Sequence, residues 1–85
     1  MYRSPIQLDV FPTDVLMRRI DPARNIRQFY RMSIQPDLFG GASLVREWGR
    51  IGACGQMMIE PHADEGQTIT ALMGLVRVKK LRGYA

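Results

Sequence analysis

Apolar and polar residues alternate along several short segments of the chain. In RQFYRMSIQ, Tyr30, Met32 and Ile34 fall on one side of an extended backbone, and the residues between them fall on the other. A period of two residues predicts a β-strand with one buried face. The run VLMRRI at 15–20 is apolar at both ends, and it predicts a strand that precedes this one.

Turn-forming residues separate the predicted strands. DPARN at 21–25 and PDLFGG at 36–41 have the composition of turns. IGACG at 51–55 contains two glycines, which suit positive φ angles in a hairpin loop. ASLVREWGR at 42–50 and QMMIE at 56–60 are then the third and fourth strands, and the chain reads as three or four antiparallel strands in succession.

The period changes near Asp64, which predicts a helix. Asp64 and Gln67 match a capping box, and Gly83 is a suitable stop after a basic last turn. Gly74 inside the helix costs about 1 kcal/mol relative to alanine, so we expect it to allow a close approach to a strand. Apolar residues recur at the spacing of one helical face, namely Ile69, Leu72, Met73 and Val76.

These elements predict an α+β fold. About four antiparallel strands form the sheet, and one C-terminal α-helix packs on one face of it. A chain of 85 residues has room for one hydrophobic core. We therefore expect one domain at 14–85, preceded by an extended lead-in at 1–13 that contains Pro5 and Pro12.

Composition excludes several classes of protein. A hydrophobic fraction of 46% is that of a globular protein rather than a disordered one. No apolar run approaches the roughly 20 residues of a membrane span, and the N-terminus lacks the apolar core of a secretory signal. Cys54 has no second cysteine with which to form an internal disulfide. We therefore expect a cytoplasmic protein that does not contact a membrane.

The sequence lacks the residue constellations of an enzyme or a metal site. Cys54 and His62 are single residues of their type, and together they provide too few ligands for structural zinc. They also lack the orienting group and the oxyanion site that a nucleophile and its base require. The glycines of GRIGACGQ precede a strand, so no helix N-terminus follows them to bind a phosphate. We expect no catalysis, cofactor or metal.

The positive charge consists mainly of arginine. Twelve Lys and Arg residues against eight Asp and Glu residues give a net charge of +4, and ten of the twelve are arginine. Arginine binds phosphate in a bidentate manner and stacks on flat rings. A small basic domain of this composition favours polyanions, and nucleic acid first among them.

The single tryptophan lies within this basic context. On the third strand, Arg46, Trp48 and Arg50 share a face, so an indole lies between two guanidinium groups. Such a ring can stack on a base or a sugar while the arginines bind phosphates. Gly49 leaves room for another backbone or a ligand beside the ring. The alternative is that Trp48 packs in the core, and the pattern does not decide between the two.

The residues WGRIG at 48–52, followed by GQ at 55–56, resemble the signature of the WGR domain family. The segment FYRMSIQPDLFGGASLVREWGRIG is similar to the β-hairpin core of compact bacterial members that occur alone. The helix that ends in KKLRGY is similar to their closing helix. The resemblance covers about residues 14–84. It implies a small α+β module related to those of DNA-dependent poly(ADP-ribose) polymerases and molybdate-regulator-like proteins.

The resemblance also implies roles for individual residues. In the polymerases the tryptophan packs against a nucleotide sugar at a DNA break, the arginine bridges to neighbouring domains, and a helix lysine assists. By motif these roles fall on Trp48, Arg50 and Lys79. This chain lacks the zinc fingers and the catalytic domain that such residues contact in the polymerases, so two hypotheses follow. One is a module that binds nucleic acid, most simply DNA at ends or breaks; the other is a protein-interaction module that uses the same face. The predicted binding residues are Arg46, Trp48, Gly49, Arg50, Lys79, Lys80 and Arg82.

Overall fold

The computed structural model describes residues 13–85, and it has the predicted α+β architecture. Apart from Thr13, the predicted lead-in lies outside the described residues. A four-stranded antiparallel sheet is followed by one long helix. In chain order the elements are β1 (Asp14–Asp21), a 3-10 turn (Pro22–Arg24), β2 (Ile26–Pro36), β3 (Ala42–Arg50), β4 (Gln56–His62) and α1 (Glu65–Leu81).

The strands form a meander in the order β1-β2-β3-β4, with a tight connection at each predicted turn. After the 3-10 turn, Asn25 takes a left-handed conformation with φ 56° and returns the chain to β2. Between β2 and β3, the carboxylate of Asp37 accepts hydrogen bonds from the backbone N–H groups of Phe39 and Gly41. These local bonds set the register in which Pro36 lies opposite Ala42 and Tyr30 opposite Trp48.

The hydrophobic core lies on the face of the sheet that α1 covers. Tyr30, Met32 and Ile34 are all buried, which confirms the face predicted from the alternation in β2. Leu72 of α1 is fully buried against them. The remaining buried hydrophobic residues among those described are Met17, Ala42 and Leu44. The opposite face of the sheet carries partly exposed side chains, including Leu16 and Ile59.

The helix begins at the predicted cap and ends near the predicted glycine. The Asp64 carboxylate accepts a hydrogen bond from the backbone N–H of Gln67 at 2.8 Å. The buried Thr68 hydroxyl donates to the carbonyl oxygen of Asp64 at 2.9 Å. Gly83 follows the last turn with φ 95°, a conformation that favours glycine. Both ends of the helix are therefore specified by local sequence.

Gly74 does not allow a close approach to a strand, so the prediction for this residue was wrong. A Cβ atom at this position would meet no other atom within 4 Å. We therefore expect Gly74→Ala to raise the free energy of unfolding by about 1 kcal/mol, because alanine restricts the unfolded chain and favours the helix. Urea unfolding followed by circular dichroism measures the change. Gly83→Ala is the control in which the opposite change is expected. Gly83 has a positive φ, which alanine adopts poorly, so this variant should be less stable than the parent. A Gly74→Ala variant no more stable than the parent would contradict this expectation.

The last described residue closes the fold against the first strand. The Ala85 N–H donates to the Arg18 carbonyl at 2.8 Å, and the Arg18 N–H donates to the Ala85 carbonyl at 3.1 Å. This reciprocal pair is that of two antiparallel strands. It occupies part of the outer edge of β1. Within residues 13–85 no helix combines the length and the apolar content that crossing a membrane requires.

Candidate nucleic-acid interface

Trp48 stacks on a buried tyrosine of the neighbouring strand. Tyr30 and Trp48 are cross-strand partners, and their ring centroids lie 5.8 Å apart with an interplanar angle of 14°. Tyr30 is 3% exposed, whereas Trp48 is partly exposed and packs at the margin of the core. The indole therefore contacts the core, as one of the two interpretations predicted, and part of it also reaches the surface.

The Arg46 side chain forms hydrogen bonds to two other side chains of the domain. Its Nε donates to the Tyr30 hydroxyl at 2.7 Å, and its Nη1 donates to Oε1 of Glu60 at 2.9 Å. The guanidinium carbon lies 6.0 Å from the centroid of the Trp48 ring. Burial opposes the charge of Arg46, but the bonds to Tyr30 and Glu60 outweigh it and hold the Arg46 pKa above its ordinary value. The arginine thus braces the aromatic pair from the side of β4.

The ammonium group of Lys79 lies over the Tyr30 ring. Its Nζ lies 4.2 Å from the Tyr30 ring centroid and 5.6 Å from that of Tyr84, which are cation–π distances. Burial, followed by the positive charges of Arg82 and Arg46, lowers the Lys79 pKa. The Tyr84 ring meets Tyr30 edge-on at 6.2 Å. The helix end and the C-terminal residues therefore share one cluster with the tryptophan.

Arg50 stands at the end of β3, on the same sheet face as Trp48. Its side chain is exposed, and it donates to both the backbone carbonyl and the side-chain Oδ1 of Asn25, each at 3.2 Å. The left-handed Asn25 of the β1–β2 connection therefore orients this guanidinium. Because these bonds use only part of the donors that a guanidinium carries, Arg50 keeps N–H groups for a ligand.

Two glycines let the loop that precedes β4 pass close to the backbone of Trp48. A Cβ atom on Gly55 would lie 2.5 Å from the Trp48 carbonyl oxygen, and one on Gly49 would lie 2.9 Å from the Gly55 Cα. The space beside Gly49 is thus filled by the backbone of Gly55. Positive φ was expected at both glycines of IGACG, and among them only Gly52 has it, at 87°. Gly55 is required by close packing instead.

The remaining predicted cations lie at the C-terminal end of α1. Arg82 is exposed and close enough to Lys79 to lower its pKa. Lys80 lines a groove of about 400 Å³ between β1 and α1, together with apolar residues such as Leu16 and Met73. The structure therefore brings Arg46, Trp48 and Lys79 together around Tyr30, and it places Lys80 in the groove at the β1 side.

Comparison with known proteins identifies the family. The sequence pattern of the WGR domain matches residues 13–85. This chain belongs to the WGR domain family. The protein named "Uncharacterized protein y4dW" from Sinorhizobium fredii (strain NBRC 101917 / NGR234) is 44% identical over 73 residues. That alignment covers 86% of this chain and 36% of the relative, so the chain spans just over a third of the relative's length. No solved structure matches the chain.

Three residues that contact the predicted binding residues of this WGR domain are not identified as part of the site by the sequence. The sequence predicts Tyr30 as a buried strand residue, Glu60 as the end of the fourth strand and Asn25 as part of a turn, with no role at the site for any of them. One signal could have revealed Tyr30, since a hairpin turn at 36–41 places residue 30 opposite residue 48. The contacts of Glu60 and Asn25 depend on how β4 and the β1–β2 connection approach β3.

The single cysteine and the single histidine of the chain lie near opposite ends of β4. Cys54 is exposed in the loop between β3 and β4, and His62 is the last residue of β4. Within residues 13–85 no group of three or more His, Cys, Asp and Glu side chains is placed to hold a metal ion.

Proposed function

We propose that this WGR domain is a non-catalytic module that binds nucleic acid, with DNA as the expected ligand. The binding surface, called here the Trp48 surface, comprises Trp48, Arg50, Lys79 and Arg82. The observation that carries the proposal is the indole of Trp48, which is stacked on buried Tyr30 while it remains partly exposed, two residues before the exposed Arg50 on the same face of β3.

The arrangement suits a stacking ligand because its parts are held before the ligand arrives. Trp48 is fixed by the Tyr30 ring and by Arg46, and Arg50 is fixed by Asn25. A preordered ring and cation lose little conformational freedom on binding. An indole can accept a sugar or a base, whereas a guanidinium pairs with the adjacent phosphate.

The structure changes the role proposed for Arg46. Its side chain, unlike that of Arg50, is only 22% exposed, and the carboxylate of Glu60 balances its charge. We therefore assign Arg46 the positioning of the aromatic pair, and we assign phosphate contact to Arg50 and Arg82. The net charge of +4 supports a polyanionic ligand, as does the use of this motif by related WGR domains at DNA breaks.

Tryptophan fluorescence provides the direct test, because Trp48 is the single tryptophan of the chain. We expect its emission to change on titration with duplex DNA that has free ends, and the apparent affinity to fall as salt rises. Arg50→Gln should reduce the slope of log affinity against log salt by about 0.9, the loss of one phosphate contact. The control is Arg77→Gln, which removes one positive charge from an exposed position on α1 that is not part of the Trp48 surface. It should leave the slope nearly unchanged.

The same titration with nicked, closed circular and single-stranded DNA, and with RNA, defines the ligand class. A stronger response to nicked or blunt DNA would support recognition of ends. A titration that is flat at low salt for every nucleic acid would contradict the proposal, and it would favour the alternative in which the Trp48 surface docks a protein.

A further inference from the structure

β4, which lies at one edge of the sheet, carries three consecutive large apolar side chains that are exposed. Met57 is 60% exposed, Met58 47% and Ile59 60%. β4 is the last strand of the sheet, so its outer backbone groups have no neighbouring strand among the described residues. Edge strands of monomeric proteins are usually protected by charged side chains, and 56–59 contains none.

The hydrogen-bond pattern fixes which backbone groups of β4 face outward. The Ile51 N–H donates to the Arg27 carbonyl at 2.8 Å, and residues 27 and 51 are opposed in the β2–β3 register. Because antiparallel pairs alternate, odd-numbered residues of β3 bond to β2 and even-numbered ones bond to β4. The partners of the even residues are Gln56, Met58 and Glu60. The N–H and C=O groups of Met57 and Ile59 therefore point away from the sheet.

Pro61 agrees with this assignment. It lies opposite Ser43 and belongs to the outward-facing set. A proline has no N–H to donate, so it is tolerated in an edge strand where that group would have faced solvent.

We propose that β4 pairs antiparallel with β4 of a second copy of this chain. In the symmetric register, Met57 lies opposite Ile59 of the second copy, and the two Met58 residues lie opposite each other. Met57 and Ile59 of each copy then exchange N–H and C=O bonds with their opposite residues, because opposed outward groups form hydrogen-bonded pairs. The meander becomes a continuous sheet twice as wide.

The occupant is a second copy because the edge is complementary to itself. Met57 and Ile59 lie symmetrically about Met58, and the same register places Gln56 opposite Glu60 of the second copy. Gln56 is uncharged, so no pair of like charges is opposed in this register, and Glu60 is already paired with Arg46 of its own copy at 2.9 Å. The edge of β1 offers a less complete template, since Ala85 occupies it at Arg18.

The proposed pairing also relates the two Trp48 surfaces, although it does not depend on their function. Opposed residues in a sheet project to the same face, so both α1 helices lie on one side. From strand spacing and rise, the two Trp48 Cα atoms lie about 20 Å apart. A ligand long enough to span this distance would contact both copies and gain affinity through avidity.

Sedimentation velocity of the full chain over a wide concentration range is the first experiment. We expect a species of twice the 9.7 kDa chain mass, in concentration-dependent exchange with the monomer. Ile59→Lys places a charge within the apolar contact, and it should raise the dissociation constant at least tenfold. Leu16→Lys is the matched control, because Leu16 is an exposed apolar residue of the same sheet face on the far strand, and its dimer should persist.

Cross-linking tests the register itself. In a chain with Cys54→Ser, Met58→Cys places two sulfurs across a non-hydrogen-bonded pair with a Cα separation of about 4.5 Å, which a disulfide can bridge. We expect rapid dimer formation under mild oxidation. Met73→Cys, at an exposed methionine of α1, should link slowly. A monomer at every concentration would overturn the proposal. So would a dimer unaffected by Ile59→Lys, or equal cross-linking rates at the two cysteines.

Discussion

Replacing Trp48 with alanine is expected to lower the free energy of unfolding by about 3 kcal/mol. Truncating a buried aromatic residue costs about 3–5 kcal/mol, and Trp48 is only partly buried, but the change also removes its stack on Tyr30. The unfolding midpoint should fall by about 12 °C or more, since 1 kcal/mol corresponds to roughly 4–8 °C in a domain of this size. Thermal unfolding followed by far-ultraviolet circular dichroism measures the shift.

Trp48→Phe is the control, because phenylalanine retains a ring over Tyr30 and should restore much of the lost stability. An alanine variant with the midpoint of the parent chain would show that the stack contributes little. If the loss is as large as expected, weaker nucleic-acid binding by Trp48→Ala cannot be assigned to a lost contact alone. Arg50 is the better residue for that purpose, because its exposed side chain contributes little to the core.

The second large effect is expected from Gly55→Ala, which adds one methyl group. The new Cβ would lie 2.5 Å from the Trp48 carbonyl oxygen and 3.0 Å from Cζ of Phe29. The Trp48 oxygen belongs to the backbone, so β3 or β4 must shift to relieve the contact. We expect a loss of about 3 kcal/mol, at the upper end of what overpacking costs. Urea unfolding measures it.

Gly74→Ala provides the comparison for Gly55→Ala, because the same methyl group is added where nothing lies within 4 Å. The two substitutions should therefore change stability in opposite directions. A Gly55→Ala variant as stable as the parent chain would mean that the loop between β3 and β4 moves freely. In that case the loop would not hold the backbone of Trp48 in place.

The sequence predicts the architecture well because its signals are local. Alternation in β2 identifies the buried face at Tyr30, Met32 and Ile34, and the turns separate strands that pair with their immediate neighbours. Asp64 and Gly83 determine the ends of the helix through side-chain capping and backbone conformation. In a meander each strand pairs with the next, so correct local predictions are sufficient to give the topology.

The chemistry of the site is less accessible from sequence because its contacts join distant segments. Arg46 and Arg50 share a face, as predicted, yet one is held by Tyr30 and Glu60 and the other by Asn25. A periodic pattern shows on which side a cation lies, but not which partner it meets. Gly74 is a related case, since a helical glycine can signal close packing, yet no neighbour is present here.

The pairing of Ala85 with Arg18 has a practical consequence for fusion proteins. The backbone at Ala85 pairs with Arg18 in the antiparallel manner. Residues attached after Ala85 would therefore continue along the outer edge of β1 toward Leu16. They would pass beside the apolar groove that Leu16, Met73 and Lys80 line. A purification tag at this end should begin with a glycine-rich spacer, because an apolar tag would pair with β1 as an additional strand.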